Sequence, residues 1–225
     1  MLFLRQADRK LGLTREAAKL ISDKRVAGKI EHSVESLLRQ RVYAIACGEE
    51  DLNDHHELRK DLAFQTAADR VNDLASPATL CRFENEMDRE AMVALNRLFV
   101  EQFISSHRQP PNEIVLDFDA TDDRVHGNQE GRFFHGYYRD YCFLPLYVFS
   151  GSQLLCAYLR PSKIDAAKHA WAIFSLLVKR LRAVWPEVRI IFRGDCGFCR
   201  WRMMRWCEKA GVDYDSTAEQ LNCSL

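Results

Sequence analysis

The stretch Ile114-Val115-Leu116-Asp117-Phe118-Asp119-Ala120-Thr121 is an apolar, β-branched run with acids near its end. A second run, Val188-Arg189-Ile190-Ile191-Phe192-Arg193-Gly194-Asp195, has the same form and also ends in an acid. Runs of this length and composition predict β-strands. Two strands that each end in a carboxylate can hold the two side chains together at one edge of a sheet. That arrangement binds divalent metal ions for phosphodiester chemistry.

The acids of the first run follow the two-residue period of a strand. Asp117 and Asp119 are therefore predicted to point to one face, while Phe118 points into the opposite layer. The pattern alone does not decide which of the two acids is the metal ligand. It also fits an alternative in which both are strand-end acids that meet only solvent.

The acid of the second run is flanked by small residues. Gly194 and Gly197 lie on either side of Asp195, and glycine lets a backbone or a phosphate approach closely. Hard carboxylate oxygens suit Mg²⁺ or Mn²⁺ rather than softer metals. The two runs together predict a magnesium or manganese site.

The composition is that of an ordinary soluble globular protein. The chain has 225 residues, of which 47% are apolar and 28% are charged, so a sizeable core is available. Its formal net charge is zero, and no overall positive field attracts nucleic acid. Basic residues concentrate instead between Lys179 and Lys209, where they form either a nucleic-acid contact or solvated helix faces.

The sequence gives no sign of a membrane segment. It contains no apolar run long enough for a transmembrane helix. Eight cysteines at irregular spacing indicate reduced thiols rather than a disulfide framework. These features predict a cytoplasmic location and no membrane partner.

Residues 1–110 are predicted to be helical. Apolar residues from Val34 to Ile45 recur at helical spacing, and Gly48 stands where the helix should stop. Ser76 and Pro77 mark the start of another helix, with Ser as the cap and Pro at the first position. Asp88 can cap the next helix, whose apolar stripe is Met92, Leu95, Phe99 and Phe103. Residues 107–112 contain two consecutive prolines and are the predicted linker.

Residues 111–214 are predicted to form an α/β region with a mixed sheet. Ser150-Gly151-Ser152 suits a hairpin. Ser162 and Asp165 have the spacing of a capping box, which predicts a long helix that opens there and is closed by Pro186. The predicted strands are residues 114–121, 132–138, 142–149, 153–159, 188–193 and 212–214, and a second helix covers residues 199–210.

Three further groups of residues suggest other chemistry. Cys196-Gly197-Phe198-Cys199 is a lone CxxC, which lacks the second pair of a structural zinc site and the context of a redox motif. Asp54-His55-His56-Glu57 is interpreted as a solvated helix entry rather than a metal cluster. The aromatic run at residues 133–138 is interpreted mostly as core, with a few rings available to stack on unpaired bases.

Several motifs resemble those of the DDE transposases in the group named after insertion sequence 1380. The longest are residues 116–123, LDFDATDD, and residues 125–138, VHGNQEGRFFHGYY. The resemblance extends from residue 1 to about residue 214. Its other motifs lie at residues 31–33, 37–43, 50–55, 74–80, 82–85, 144–149, 159–162 and 193–198.

The resemblance implies a helical DNA-binding region followed by an RNase H-like catalytic core. It implies a DNA transposase that cuts and joins strands with Mg²⁺ at terminal inverted repeats, as a homodimer in the synaptic complex. It places the first catalytic and metal-binding acid at Asp119 and the second at Asp195. Arg82, Arg193 and Arg200 are the predicted DNA contacts, and Asp117 is a further candidate site residue.

The sequence departs from the family pattern in three places. Arg124 stands where such proteins usually carry proline, and Cys196 where serine is usual. Residues 215–225 are polar and do not resemble the family's continuation, which carries a third catalytic acid. Glu219 is not in the family's context and takes no such role. The chain is therefore predicted to be an inactive, truncated transposase, or alternatively a non-catalytic DNA-binding remnant or regulator.

Overall fold

The computed structural model describes residues 1–216, which divide into two compact units with a boundary between Leu98 and Phe99. The first unit is helical. Its helices are α1 (Leu2–Leu11), α2 (Leu13–Lys19), α3 (Val34–Ala46), α4 (His55–Leu58), α5 (Leu62–Ala67), α6 (Pro77–Asn85) and the first part of α7 (Arg89–Ser106), with 3-10 turns at Ala27–Lys29 and Leu52–Asp54. Residues 107–112, with their two prolines, follow α7 and lead into the first strand.

The helix ends of this unit follow the local sequence signals. The Ser76 hydroxyl accepts the backbone N–H of Thr79 at 3.3 Å, and Pro77 occupies the first position of α6. The Asp88 carboxylate accepts the N–H of Ala91 at 2.9 Å at the start of α7. Gly48, just past α3, has a φ of 88°, a conformation that costs glycine little. These predicted boundaries are confirmed.

Two small cores hold the helical unit together. Tyr43, Phe64 and Leu74 belong to the larger one, and Leu37 and Leu80 to the smaller one. The apolar stripe predicted for α7 is partly wrong, because Met92 is exposed. The buried residues of that helix are Ala91, Val100 and Phe103.

A buried polar contact links α3 to the segment before α6. The Gln40 side chain exchanges two hydrogen bonds of 2.9 Å with the backbone of Ala75 and contacts His55 Nδ1 at 3.0 Å. His55 is fully buried, and Arg41 lies 3.2 Å from its Nε2. Burial, together with the charge of Arg41, lowers the pKa of His55 to about 4. The imidazole is therefore neutral in the folded protein at neutral pH.

This neutral histidine predicts an acid-sensitive helical unit. The folded pKa lies below the ordinary value, so the unfolded chain binds the proton first, and stability present above about pH 6.5 is lost as pH falls towards about 4. Between about pH 7.5 and about pH 5 the loss attributable to His55 is about 2 kcal/mol. Denaturation followed by circular dichroism should show this difference in the wild type and not in His55→Gln. The exposed neighbour supplies the control, since His56→Gln should keep the wild-type pH dependence.

The second unit contains a mixed five-stranded sheet in the order β6-β5-β1-β7-β8. Strand β1 runs antiparallel to β5 and parallel to β7, and β8 is parallel to β7. This confirms the predicted α/β fold class. The elements are β1 (Glu113–Ala120), β2 (Asp123–Arg124), β3 (Phe133–His135), β4 (Asp140–Phe143), β5 (Leu146–Ser150), β6 (Gln153–Tyr158), α8 (Ala170–Val184), β7 (Arg189–Gly194), α9 (Trp201–Ala210) and β8 (Asp213–Ser216).

The core of this unit lies on one face of the sheet. Phe118 of β1 and Phe192 of β7 meet Phe174 of α8, with ring centroids 5.5 Å and 5.1 Å away. Met203 of α9 and Phe103 of α7 belong to the same cluster. Side chains on a strand alternate between faces, so Asp117 and Asp119 lie on the face opposite this core.

Two predicted elements of this unit are wrong. Residues 142–149 do not form one strand, because the chain breaks between β4 and β5 and β4 joins a separate three-stranded sheet in the order β2-β4-β3. The long helix does not open at Ser162 but at Ala170. The Ser162 hydroxyl instead donates to the carbonyl of Phe133 at 2.8 Å, a contact with the three-stranded sheet rather than with a helix.

Arg160 explains why residues 161–169 remain irregular. Its guanidinium is buried and donates to the carbonyls of Leu144, Ala166 and Lys168, at 2.9, 2.9 and 2.6 Å. A carbonyl that accepts from Arg160 is turned away from an intrahelical hydrogen bond. The segment therefore folds around the arginine, and the helix begins only after it.

The last strand runs slightly further than predicted. β8 extends to Ser216, and Gly211, with a φ of 59°, ends α9 as the sequence predicts. Glu219 and the rest of the predicted polar tail beyond residue 216 lie outside the described residues. No helix within residues 1–216 is long and apolar enough to cross a membrane.

Candidate active site

The two predicted catalytic acids lie at the same end of two adjacent strands, β1 and β7, and we refer to this end of the sheet as the acid edge. In the parallel pairing of β1 with β7, Phe118 lies opposite Gly194. The next residue on each strand is an acid, Asp119 on β1 and Asp195 immediately after β7. Both acids are exposed. The register brings together the two residues that the sequence separates by 76 positions.

The loop after β7 holds Asp195 by backbone contacts. Its carboxylate accepts the N–H of Gly197 at 2.8 Å, and its carbonyl accepts the N–H of Phe198 at 3.0 Å. A Cβ at position 197 would lie 2.9 Å from the Asp195 carboxylate, and one at position 194 would lie 3.2 Å from the Phe198 Cβ. A side chain at either position would crowd the loop, so packing within the loop explains both glycines. Phe198 is buried in the core and anchors the loop.

Tyr138 lies beside the two acids. Its hydroxyl donates to the carbonyl of Ala120 at 3.3 Å. Burial raises the pKa of Tyr138, and the carboxylates of Asp122, Asp119 and Asp195 raise it further. The phenol therefore stays protonated and serves as a hydrogen-bond donor at this edge. Its place in the sequence predicts Tyr138 among the mostly core aromatics of residues 133–138, and the turn between β3 and β4 brings it here instead.

Asp117 is engaged differently from Asp119. It lies opposite Arg193 in the strand register, and the two form a two-pronged ion pair whose Nη2–Oδ2 distance is 2.7 Å. Asp117 raises the pKa of Arg193 by hydrogen bonding and by its charge. Such a carboxylate is already neutralised by a guanidinium. Asp119 is thus the better placed of the two for a metal ion.

The predicted DNA-contacting arginines have different environments. Arg82 is exposed on α6, and its nearest partner is the Thr79 hydroxyl at 3.4 Å. Arg200 precedes α9 and pairs with Asp165 at 2.7 Å. Arg193 pairs with Asp117 as described above. Of the three, Arg82 is the one without a carboxylate partner within hydrogen-bonding distance among the described residues.

The basic stretch from Lys179 to Lys209 contains several arginines that stabilise the fold. Arg180 makes two 2.6 Å bonds to Glu101, and Arg182 donates to the Gly211 carbonyl at 2.7 Å, past the end of α9. Arg189 pairs with Asp213 of the neighbouring strand at 2.6 Å. These contacts agree with solvated, structural charges more than with a continuous nucleic-acid surface.

The acids suit a metal ion that keeps part of its shell outside the protein. Across residues 1–216, no group of three or more His, Cys, Asp or Glu side chains is arranged to hold a metal. Mg²⁺ commonly binds through one or two carboxylates and completes its shell with waters and substrate phosphates. The exposed oxygens of Asp119 and Asp195 fit that mode. Cys196 and Cys199 lie in the loop after β7 and form no larger metal-holding group with other cysteines, histidines or acids of residues 1–216, and His55 is buried between Gln40 and Arg41.

The family of the chain follows from comparison with known sequences. A family model described as transposase DDE domain group 1 matches residues 1–218. The chain belongs to this family of transposase DDE domains. No curated protein matches it.

Solved transposase structures show a distant likeness. The cryo-EM structure of the piggyBac transposase synaptic complex with hairpin DNA is 11% identical, with a TM-score of 0.45 over 92% of this chain. The Mos1 transposase paired-end complex with its left transposon end is 12% identical, with a TM-score of 0.33 over 89% of this chain and 70% of that chain. This chain spans 46% of the piggyBac chain, about half of its length.

Proposed function

We propose that this chain belongs to the DNA transposases of the insertion sequence 1380 group, which cut and join DNA at terminal inverted repeats, or that it acts as a non-catalytic DNA-binding regulator of such a transposase. The observation that carries the proposal is the pair of acids, Asp119 and Asp195, that the β1–β7 register brings to one sheet edge. Membership of the transposase DDE domain family supports the assignment of this pair as catalytic acids. The protein acts in the cytoplasm, as a homodimer that pairs two transposon ends.

Asp119 and Asp195 would hold Mg²⁺ or Mn²⁺. The bound ion supplies charge stabilisation to a phosphodiester and makes a water or a 3′-hydroxyl a better nucleophile. Asp195 is pre-positioned by the Gly197 N–H, which leaves its second oxygen for the metal. The Tyr138 hydroxyl remains a hydrogen-bond donor to the Ala120 carbonyl, at the end of the strand that carries Asp119.

The helical unit supplies DNA binding in this proposal. Arg82 on α6 is the residue assigned to phosphate contact, because it is exposed and has no carboxylate partner within hydrogen-bonding distance in the described chain. Arg193 and Arg200 flank the acid edge, in ion pairs with Asp117 and Asp165. To contact a phosphate, each of these two arginines would have to break its ion pair with the carboxylate. Their share of the affinity is therefore smaller than that of Arg82.

Replacing Arg82 by Ala should weaken DNA binding and its dependence on salt. A protein that neutralises a phosphate releases a counterion, so the loss of one contact flattens the slope of log affinity against log salt by roughly one unit. Fluorescence anisotropy with duplex carrying the element's terminal repeat measures this slope for the whole chain.

Lys60→Ala is the matched control, since it removes one exposed positive charge from the same unit. It should leave the slope at the wild-type value. An equal slope in wild type and Arg82→Ala would remove Arg82 from the interface. Absence of duplex binding by the wild type at low salt would count against the transposase proposal itself.

A further inference from the structure

Helix α9 presents a row of basic and polar donors to solvent. Its buried side is formed by Met203 and Cys207, which belong to the core of the second unit. Trp201, Arg205 and Lys209 recur at four-residue spacing on the opposite side of the helix, and all three are exposed. We refer to these three residues as the basic face of α9.

The charges of this face are not neutralised within the fold. In the described part of the chain, neither Arg205 nor Lys209 forms an ion pair with a carboxylate. They differ in this from Arg180 and Arg189, whose ion pairs belong to the same basic stretch. Helix α9 contains three basic residues and one acid, Glu208, so it carries a net positive charge. The two cations are therefore available to an anion from outside the chain.

Trp201 adds a neutral donor to the same face. Its indole is 73% exposed, and its N–H meets no protein acceptor within residues 1–216. The indole N–H, the guanidinium and the ammonium all donate hydrogen bonds and accept none. The basic face of α9 therefore suits a ligand that combines negative charge with many acceptor oxygens. Phosphate groups have both properties.

The spacing along α9 suits a chain of phosphates rather than a single one. Residues four apart on a helix lie about 6 Å apart along its axis, and the phosphates of one DNA strand follow one another at about 3.4 Å along the duplex. Arg205 and Lys209 can therefore contact phosphates about two nucleotides apart. Because α9 follows the loop that holds Asp195, its first turn lies at the same end of the unit as the acid edge.

We propose that the basic face of α9 binds the phosphate backbone of duplex DNA. This inference rests on the proposed transposase function and adds Arg205 and Lys209 to the DNA contacts assigned above. Contacts to phosphates position a duplex and carry no sequence information. The basic face of α9 therefore contributes affinity for DNA of any sequence, and its contribution falls as salt concentration rises.

The test measures binding of a mixed-sequence duplex of about thirty base pairs to the full chain, by fluorescence anisotropy at several salt concentrations. Arg205→Ala should flatten the slope of log affinity against log salt by roughly one unit, and the double variant with Lys209→Ala by roughly two. Arg108→Ala is the matched control and should keep the wild-type slope. Arg108 is exposed and belongs to the same unit, but it precedes β1 and so lies at the end of that strand away from Asp119.

Trp201 provides an independent measurement of the same contact. Acrylamide quenches exposed indoles, so bound duplex should protect part of the wild-type tryptophan fluorescence and give no such protection in Trp201→Phe. A wild-type salt slope in the double variant, equal protection in wild type and Trp201→Phe, or no binding of the mixed-sequence duplex at low salt would overturn the proposal. Binding that depends on Arg205 and Lys209 but shows no preference for the terminal repeat would count against the transposase function alone.

Discussion

Where the chain cleaves DNA with Mg²⁺ or Mn²⁺, replacement of Asp195 by Asn is expected to lower that cleavage about a thousandfold, because a metal ion that has lost a charged ligand gives up several kcal/mol of transition-state stabilisation. Asn keeps the shape of the side chain, and its oxygen can still accept the Gly197 N–H that positions Asp195. The loop after β7 should therefore stay folded while the charge is lost. Asp119→Asn should have the same effect, since Asp119 is the neighbouring acid on β1.

The measurement is nicking of labelled duplex with Mg²⁺ or Mn²⁺, compared among the wild type and single variants. Asp123→Asn is the control, because it removes an exposed acid of β2 that lies close in sequence. It should cleave at the wild-type rate. Metal-dependent cleavage that survives both Asp119→Asn and Asp195→Asn would contradict the assignment. A wild type that binds DNA but cleaves none agrees with the inactive chain predicted from the sequence, including the alternative of a non-catalytic DNA-binding regulator.

Phe174→Ala is expected to destabilise the second unit by about 3–5 kcal/mol. The Phe174 ring is fully buried on α8, and its neighbours are Phe118, Phe192 and Trp206. Truncation to alanine leaves a cavity between the helix and the two strands that end at the acid edge. The loss includes both the transfer of the ring and the unfilled space.

Tryptophan fluorescence during denaturation measures this loss in the second unit, because all four tryptophans lie there. Leu176→Ala on the same helix is the control, and as an exposed substitution it should stay within about 0.5 kcal/mol of the wild type. A similar, small change in both variants would show that Phe174 does not join helix to sheet as described.

Local signals were sufficient for much of the fold. The caps at Ser76 and Asp88 and the stop at Gly211 are decided by hydrogen bonds or backbone angles within a few residues, and all three are confirmed. The strands β1 and β7 follow from continuous apolar runs, because parallel strands at the centre of a sheet are apolar along their length. Because Asp119 and Asp195 come at the ends of these two runs, their position at the ends of the strands was also predictable.

Long-range contacts account for the elements that the sequence did not predict. Ser162 and Asp165 have the spacing of a helix cap, but the Ser162 hydroxyl bonds to Phe133, 29 positions earlier. Arg160 donates to the carbonyls of Ala166 and Lys168, and α8 begins only at Ala170. The neighbouring sequence does not show that Ser162 and Arg160 make these contacts rather than a helix cap and a solvent-exposed charge.

The choice between Asp117 and Asp119 shows the same limit within the site. Both acids lie on one face of β1, and strand periodicity treats them alike. The structure separates them through register, because Asp117 lies opposite Arg193 and is neutralised by it. The family resemblance selected Asp119, and the ion pair gives a physical reason for that selection. Tyr138 is brought to the site only by the turn between β3 and β4, which residue spacing did not predict.

The carboxylate pair is tested most directly by Mn²⁺ binding, measured from the electron paramagnetic resonance signal of free Mn²⁺ in a titration of the whole chain. We expect the wild type and Asp123→Asn to bind Mn²⁺ with the same affinity. Asp119→Asn and Asp195→Asn should each weaken binding at least about tenfold, since even the loss of a residue that only orients a ligand costs that much. Equal Mn²⁺ affinity in all four proteins would contradict a metal site built on Asp119 and Asp195.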